Sequence, residues 1–195
     1  MSAMPSLVLA SSSSYRRALL ARLGLAYRAL TPDIDERALP DEAPVDTAMR
    51  LAQAKARKIA AAESRALIIG SDQVAVLESR ALGKPGDHAA AALQLRAMSG
   101  KTVIFHTALC LLNAATNTVQ LTSVPTTVRF RELSAAQIER YLRRDQPYDC
   151  AGSAKIEALG IALVEQLESD DPTALVGLPL IALVSMLARE GVDIP

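Results

Sequence analysis

The chain has 195 residues and sets 21 lysines and arginines against 21 aspartates and glutamates, so it lacks the basic field that coats nucleic acid or anionic membrane. Half of it is hydrophobic, yet it holds four tyrosines, two phenylalanines and no tryptophan, which leaves an aliphatic core suited to helices on a sheet. The longest apolar stretch, Leu175 to Val184, is broken by Gly177 and Pro179 and falls short of the about 20 residues of a membrane span, and no basic segment precedes Leu7 to Ala10. A cytoplasmic protein is expected, with neither a membrane nor a nucleic-acid polymer as partner.

The apolar run Leu7 to Ala10, then four serines, then a leucine-rich pattern reads as buried strand, tight loop and helix start. A second strand is expected at Tyr27 to Leu30, followed by an acidic loop from Asp33 to Glu42 and a helix opened by Pro44 and running to about Glu63. Leu67-Ile68-Ile69 reads as a buried strand ending in Gly70-Ser71-Asp72-Gln73, and Asp87 to Met98 as an alanine-rich helix stopped by Gly100. Thr102 to Leu112 and Gln120 to Phe130 form a hairpin pattern around the turn-prone segment 113–118. Ser134 and Gln137 have capping-box spacing for a helix to about Arg143. A short strand is expected at Gly160 to Val164, and Pro179 opens a last helix ending at Gly191. The alternation predicts an α/β fold, a mixed sheet with flanking helices.

Several charged residues fall in apolar surroundings. Arg16 lies near the centre of the Leu19, Leu20, Leu23 stripe, in a first helical turn where exposed amides and the helix dipole favour an anion. Ser11 to Ser14 with Arg16 could cradle phosphate; equally, a serine could cap the helix while the arginine reaches for solvent. Lys55 borders the apolar face formed by Val45, Met49, Ala52, Ala56 and Ile59, whereas Arg50 and Arg57 point away, so Lys55 either aims into a cleft or covers apolar rim. Asp72 lies directly beyond an apolar strand, at the carboxyl end where open α/β sheets bind ligands. Gly83-Lys84-Pro85 offers a lysine beside a rigid neighbour, and Glu36 sits in the acidic loop. Two carboxylates with three cations, and no Cys or His cluster, describe oxygen-ligand chemistry with Mg²⁺ or Mn²⁺ on a phosphate substrate. His88 and His106 read as structural, and Cys110 and Cys150 as ordinary thiols.

Taken in order, Leu-Ala-Ser-Ser-Ser-Ser-Tyr-Arg-Arg from Leu9, Asp-Ile-Asp-Glu ending at Glu36, Ala-Gln-Ala-Lys ending at Lys55, Gly-Ser-Asp-Gln at Gly70, Gly-Lys-Pro at Gly83, Cys-Ala-Gly-Ser at Cys150 and Gly-Leu-Pro-Leu-Ile at Gly177 resemble the Maf family of nucleotide pyrophosphatases over nearly the whole chain. The resemblance implies one domain over 1–195, a mixed twisted sheet in two lobes around a nucleotide cleft, a cytoplasmic homodimer and a divalent metal, Mg²⁺, Mn²⁺ or Co²⁺. It carries catalytic roles to Arg16, Glu36, Lys55, Asp72 and Lys84, with Asp72 as proton acceptor; on the residues' own chemistry, the metal is expected on Asp72 and Glu36 and phosphate on Ser11, Ser13 and Arg16.

Ser-Asp-Gln and Ala-Gly-Ser-x-Lys-x-Glu look like the subgroup that hydrolyses 7-methyl-GTP, with Tyr15, Gln73 and Glu157 at the specificity positions. The sequence departs from it where Tyr15 replaces a familiar Trp and Ala154 a familiar Phe. A base made cationic by N7 methylation suits a carboxylate accepting its N1–H and N2–H₂ donors, and an aromatic face above it. The alternatives are dTTP/UTP hydrolysis by the same chemistry and a non-catalytic regulator of septum formation.

Overall fold

The structure is a computed structural model that describes residues 5–194, so the outermost ends of the expected domain lie outside the described residues. The strands are β1 (Leu7–Ala10), β2 (Tyr27–Leu30), β3 (Leu67–Leu77), β4 (Arg80–Leu82), β5 (Thr102–Asn113), β6 (Thr118–Phe130) and β7 (Val164–Ser169). The helices are α1 (Ser14–Ala21), α2 (Pro44–Ala60), α3 (His88–Met98), α4 (Ala135–Asp145) and α5 (Leu180–Arg189). The seven strands form one mixed sheet in the order β2-β1-β3-β5-β6-β7, with β4 on β3. The expected α/β class is therefore the observed one. None of the described helices is long and apolar enough to cross a membrane.

The chain divides into two compact units. The first runs through Asp72, returns as Thr107–Val124 and closes from Asp171 onward; the second comprises Gln73–His106 and Pro125–Asp170. In the first unit β1 is central. It pairs in parallel with β2, Leu7 opposite Tyr27, and with β3, Leu7 opposite Leu67. Strand residues Leu9, Leu67, Ile69, Leu109 and Leu111 pack with Leu19 and Leu20 of α1 and Leu183 and Leu187 of α5 into an aliphatic core. In the second unit β4 runs antiparallel to the far half of β3, Ala75 opposite Leu82, and β7 antiparallel to β6, Thr126 opposite Ser169. Here the two phenylalanines, Phe105 and Phe130, are buried with Leu95, Met98, Ile138 and Leu142.

Local signals fall where the residue chemistry demands. Asp87 caps α3 by accepting from the Ala90 amide at 2.8 Å, and Ser134 with Gln137 completes the capping box of α4. Pro179 opens α5 as its N-cap, as expected. Two expectations need correction. The strand expected at Gly160 to Val164 begins at Val164, because Leu159–Leu163 winds into a 3₁₀ turn. Asp72 is inside β3, not beyond it: β1 ends at Ala10, opposite Gly70, but β3 continues to Leu77 with β5 as its neighbour on the other side and β4 antiparallel over Ala75–Leu77.

Candidate active site

Lys55 is the pivot of the first unit's charged residues. Seen from the sequence it borders the apolar face, but the buried side of α2 is formed by Ala48, Leu51, Ala52, Lys55, Ala56 and Ile59, so Lys55 stands in the middle of it with 5% of its surface exposed. The helix lies so close to β3 that a Cβ at Gly70 would run into the Ala52 carbonyl oxygen. That approach brings the Lys55 ammonium 2.6 Å from Asp72 Oδ1 and 2.6 Å from Glu36 Oε1. Asp72 is itself buried, whereas Glu36 reaches in from an exposed loop. A lysine this deep is tolerable because two carboxylates compensate it, and losing both would leave an unpaired buried charge costing several kcal/mol.

Arg16 belongs to the same electrostatic group. Desolvation draws its pKa down from the ordinary arginine value, and Asp72 and Glu36 oppose that fall. The side chain does not reach for solvent: its Nε donates to the Gly177 carbonyl at 2.7 Å. The same carbonyl accepts from the hydroxyl of buried Ser71 at 2.9 Å. Gly177 has φ 112, and a Cβ there would stand 3.4 Å from Arg16 Nε, so glycine suits this position for conformation and for space. The serine loop does cap α1, with Ser13 Oγ accepting from the Arg16 amide at 3.3 Å and Ser11 Oγ from the Ser13 amide at 3.1 Å. Tyr15 is half-buried in the first turn of α1.

The other named residues fall in the second unit. Gln73 is half-buried in β3, Lys84 is exposed in the loop after β4, and Glu157 is exposed two residues after Lys155. Desolvation of the Glu157 carboxyl, with Asp145 and Asp149 nearby, nevertheless pushes its pKa above the ordinary glutamate value, and Lys155 only partly offsets this. His88, expected to lack a partner of metal-ligand type, has Nε2 2.9 Å from a Glu139 carboxylate oxygen and Nδ1 3.0 Å from the Tyr148 hydroxyl. Cys110 is buried, and burial pushes its thiol up to about 11.

Sequence reasoning missed two supports of this centre. Arg50 points away from the buried face of α2, as expected, but it is engaged there: it donates to Glu42 Oε1 at 2.5 Å and to the Arg37 carbonyl at 3.0 Å, bracing the loop that carries Glu36. Asp171, 2% exposed, accepts from the Thr173 amide at 3.0 Å and the Ile181 amide at 2.7 Å, and so fixes the turn that presents the Gly177 carbonyl. The Asp-Pro-Thr sequence signalled a turn at Asp171, but nothing local signalled a bond ten residues away.

Glu36 and Asp72 are oxygen donors of the kind a hard divalent cation takes, with no Cys or His beside them, and in this structure their oxygens converge on the Lys55 ammonium. No group of three or more His, Cys, Asp or Glu that could hold a metal occurs among the described residues, so this chain would contribute two carboxylates and leave the remaining positions to phosphate oxygens and water, as Mg²⁺ commonly requires.

An α/β sheet that gathers an ammonium and a guanidinium beside two carboxylates offers cations of the kind that take phosphate oxygens. Residues 6–190 match the family described as Maf-like protein, and the chain belongs to that family. It is 59% identical over 190 residues to a protein of Thiobacillus denitrificans named 7-methyl-GTP pyrophosphatase, covering 97% of this chain and 94% of that one. Proteins of the same name from Methylobacillus flagellatus and Pseudomonas syringae pv. syringae are 58% and 56% identical, each alignment covering 98% of this chain and 100% of the relative.

Proposed function

We propose that this protein hydrolyses 7-methyl-GTP at its α–β phosphoanhydride, releasing 7-methyl-GMP and pyrophosphate, and that it does so as a cytoplasmic homodimer with a divalent cation. The observation that carries the reading is Lys55 held between Glu36 and Asp72 at 2.6 Å from each, beside Arg16, in a chain 56–59% identical to proteins bearing that activity's name.

In this reading Asp72, fixed in direction by Lys55 Nζ, takes the proton from the water whose oxygen attacks the α-phosphorus, while the bond from that phosphorus to the bridging oxygen breaks. Arg16 and Lys55 neutralise charge on the phosphates as the negative charge moves onto pyrophosphate. Ser11 and Ser13 order the loop that puts α1's first amides in reach of an anion, and Lys84 carries the further phosphate role implied by the family resemblance. Asp72 and Glu36 would hold the metal, which when bound lowers the pKa of its water and offsets phosphate charge. Glu157 reads the methylated guanine by accepting from N1–H and N2–H₂, with Tyr15 and Gln73 as the other specificity positions.

The test is pyrophosphate release from 7-methyl-GTP before and after rigorous chelation. Turnover should vanish with EDTA and return with Mg²⁺, Mn²⁺ or Co²⁺. Undiminished turnover after chelation defeats the metal assignment, and orthophosphate as the released product defeats the reaction.

A further inference from the structure

Resting on the function just proposed, we infer that Gln94 is a positioning residue that ties the Lys84 loop to the segment leading to Glu157, so that one side chain sets phosphate binding and base reading together. All the residues concerned lie in the second unit. Gln94 sits on α3, and both ends of its amide are engaged. Its Nε2 donates to the Gly83 carbonyl at 3.0 Å, and its Oε1 accepts from the Ser153 hydroxyl at 2.5 Å. The orientation is dictated by chemistry, because a carbonyl oxygen only accepts and so must face the amide nitrogen.

Gly83 immediately precedes Lys84; Ser153, wholly buried, ends the turn Ala151–Ser153, four residues before Glu157. The far end of the same loop is tied to the same segment, since the Gly86 amide donates to the Tyr148 carbonyl at 3.0 Å. The segment is itself restrained. Gly152 and Ser153 have φ 73 and φ 55, and a Cβ on Gly152 would stand 3.2 Å from the Phe105 ring. Beyond it the Lys155 amide donates to the Tyr141 hydroxyl at 2.9 Å, carrying the restraint to within two residues of Glu157. A glutamine serving only the helix surface has no reason to join a loop carbonyl to a buried hydroxyl.

The test compares kcat/KM for 7-methyl-GTP and UTP in wild type, Gln94→Met, Lys84→Ala and the double variant. Methionine keeps the length and removes both hydrogen bonds. Gln94→Met should lower kcat/KM for 7-methyl-GTP by roughly 10- to 100-fold and narrow its ratio to UTP; in the Lys84→Ala background its loss should be smaller than in wild type, with the narrowed ratio, which acts through Glu157, remaining. Losses that multiply independently in the double variant, or an unchanged ratio, overturn the proposal. Ser153→Ala cuts the same link from its other side and should reproduce the effect.

Amide hydrogen exchange gives a readout that needs no turnover. Residues 83–86 and 151–157 should exchange faster together in Gln94→Met, with little change in Tm, and unchanged exchange in either segment defeats the coupling. A wild type that releases no pyrophosphate would instead defeat the functional reading, leaving the exchange result to judge Gln94.

Discussion

Asp72 keeps 12% of its side chain exposed and Lys55 7%, so their pairing sits where water screens little and direction is well defined. Asp72→Asn preserves shape and an acceptor oxygen for Lys55 but removes the proton acceptor. It should lower kcat by about 10²- to 10⁴-fold, and more if the cation is lost as well. Tm should change little, because Glu36 still compensates the lysine. Near-normal kcat would make Asp72 structural and favour a non-catalytic role. Glu157→Gln addresses the base in a different way, exchanging a carboxylate oxygen for an NH₂ that opposes the guanine donors. A loss of roughly 10- to 200-fold in kcat/KM for 7-methyl-GTP is expected, with UTP far less affected. Since the Glu157 pKa is raised, its negative charge is lost on acidification sooner than an ordinary glutamate's. The wild-type preference for 7-methyl-GTP should therefore begin to fall at a higher pH than a carboxylate of ordinary pKa would give, and the glutamine variant should not show that limb.

At the scale of elements the close approach of α2 to β3 is what brings a helix lysine onto Asp72. Gly70 makes it possible, because a methyl group there meets the Ala52 backbone and cannot be relieved by rotating a side chain. Gly70→Ala should destabilise the protein by about 1–3 kcal/mol, lowering Tm by about 2–4 °C for each kcal/mol. It should also reduce turnover beyond the loss of folded protein, since α2 must shift and carries Lys55 with it. Normal stability and normal kcat would mean that this contact does not position the lysine.

At the scale of the whole molecule, the sheet and helices were legible because their signals are local: the apolar run at Leu7, Pro44 before α2, and Ser134 with Gln137 before α4. The charged set was legible too, since Arg16, Lys55 and Asp72 stood out in apolar surroundings. What the sequence concealed was non-local. The extension of β3 past Asp72 depends on its neighbours β4 and β5, the role of Arg50 on a folded acidic loop, and the aim of Arg16 on a carbonyl 161 residues away. Gln94 on an alanine-rich helix gave no hint of its two partners. Substrate choice is the proposal's most demanding claim, because it asks for discrimination between bases as well as for the reaction. The most direct measurement is kcat/KM of the purified protein for 7-methyl-GTP, UTP and dTTP under one metal condition, with both products quantified. The account predicts one pyrophosphate per 7-methyl-GMP and the highest kcat/KM for 7-methyl-GTP; a higher value for UTP or dTTP, or no pyrophosphate from any of the three, would contradict it.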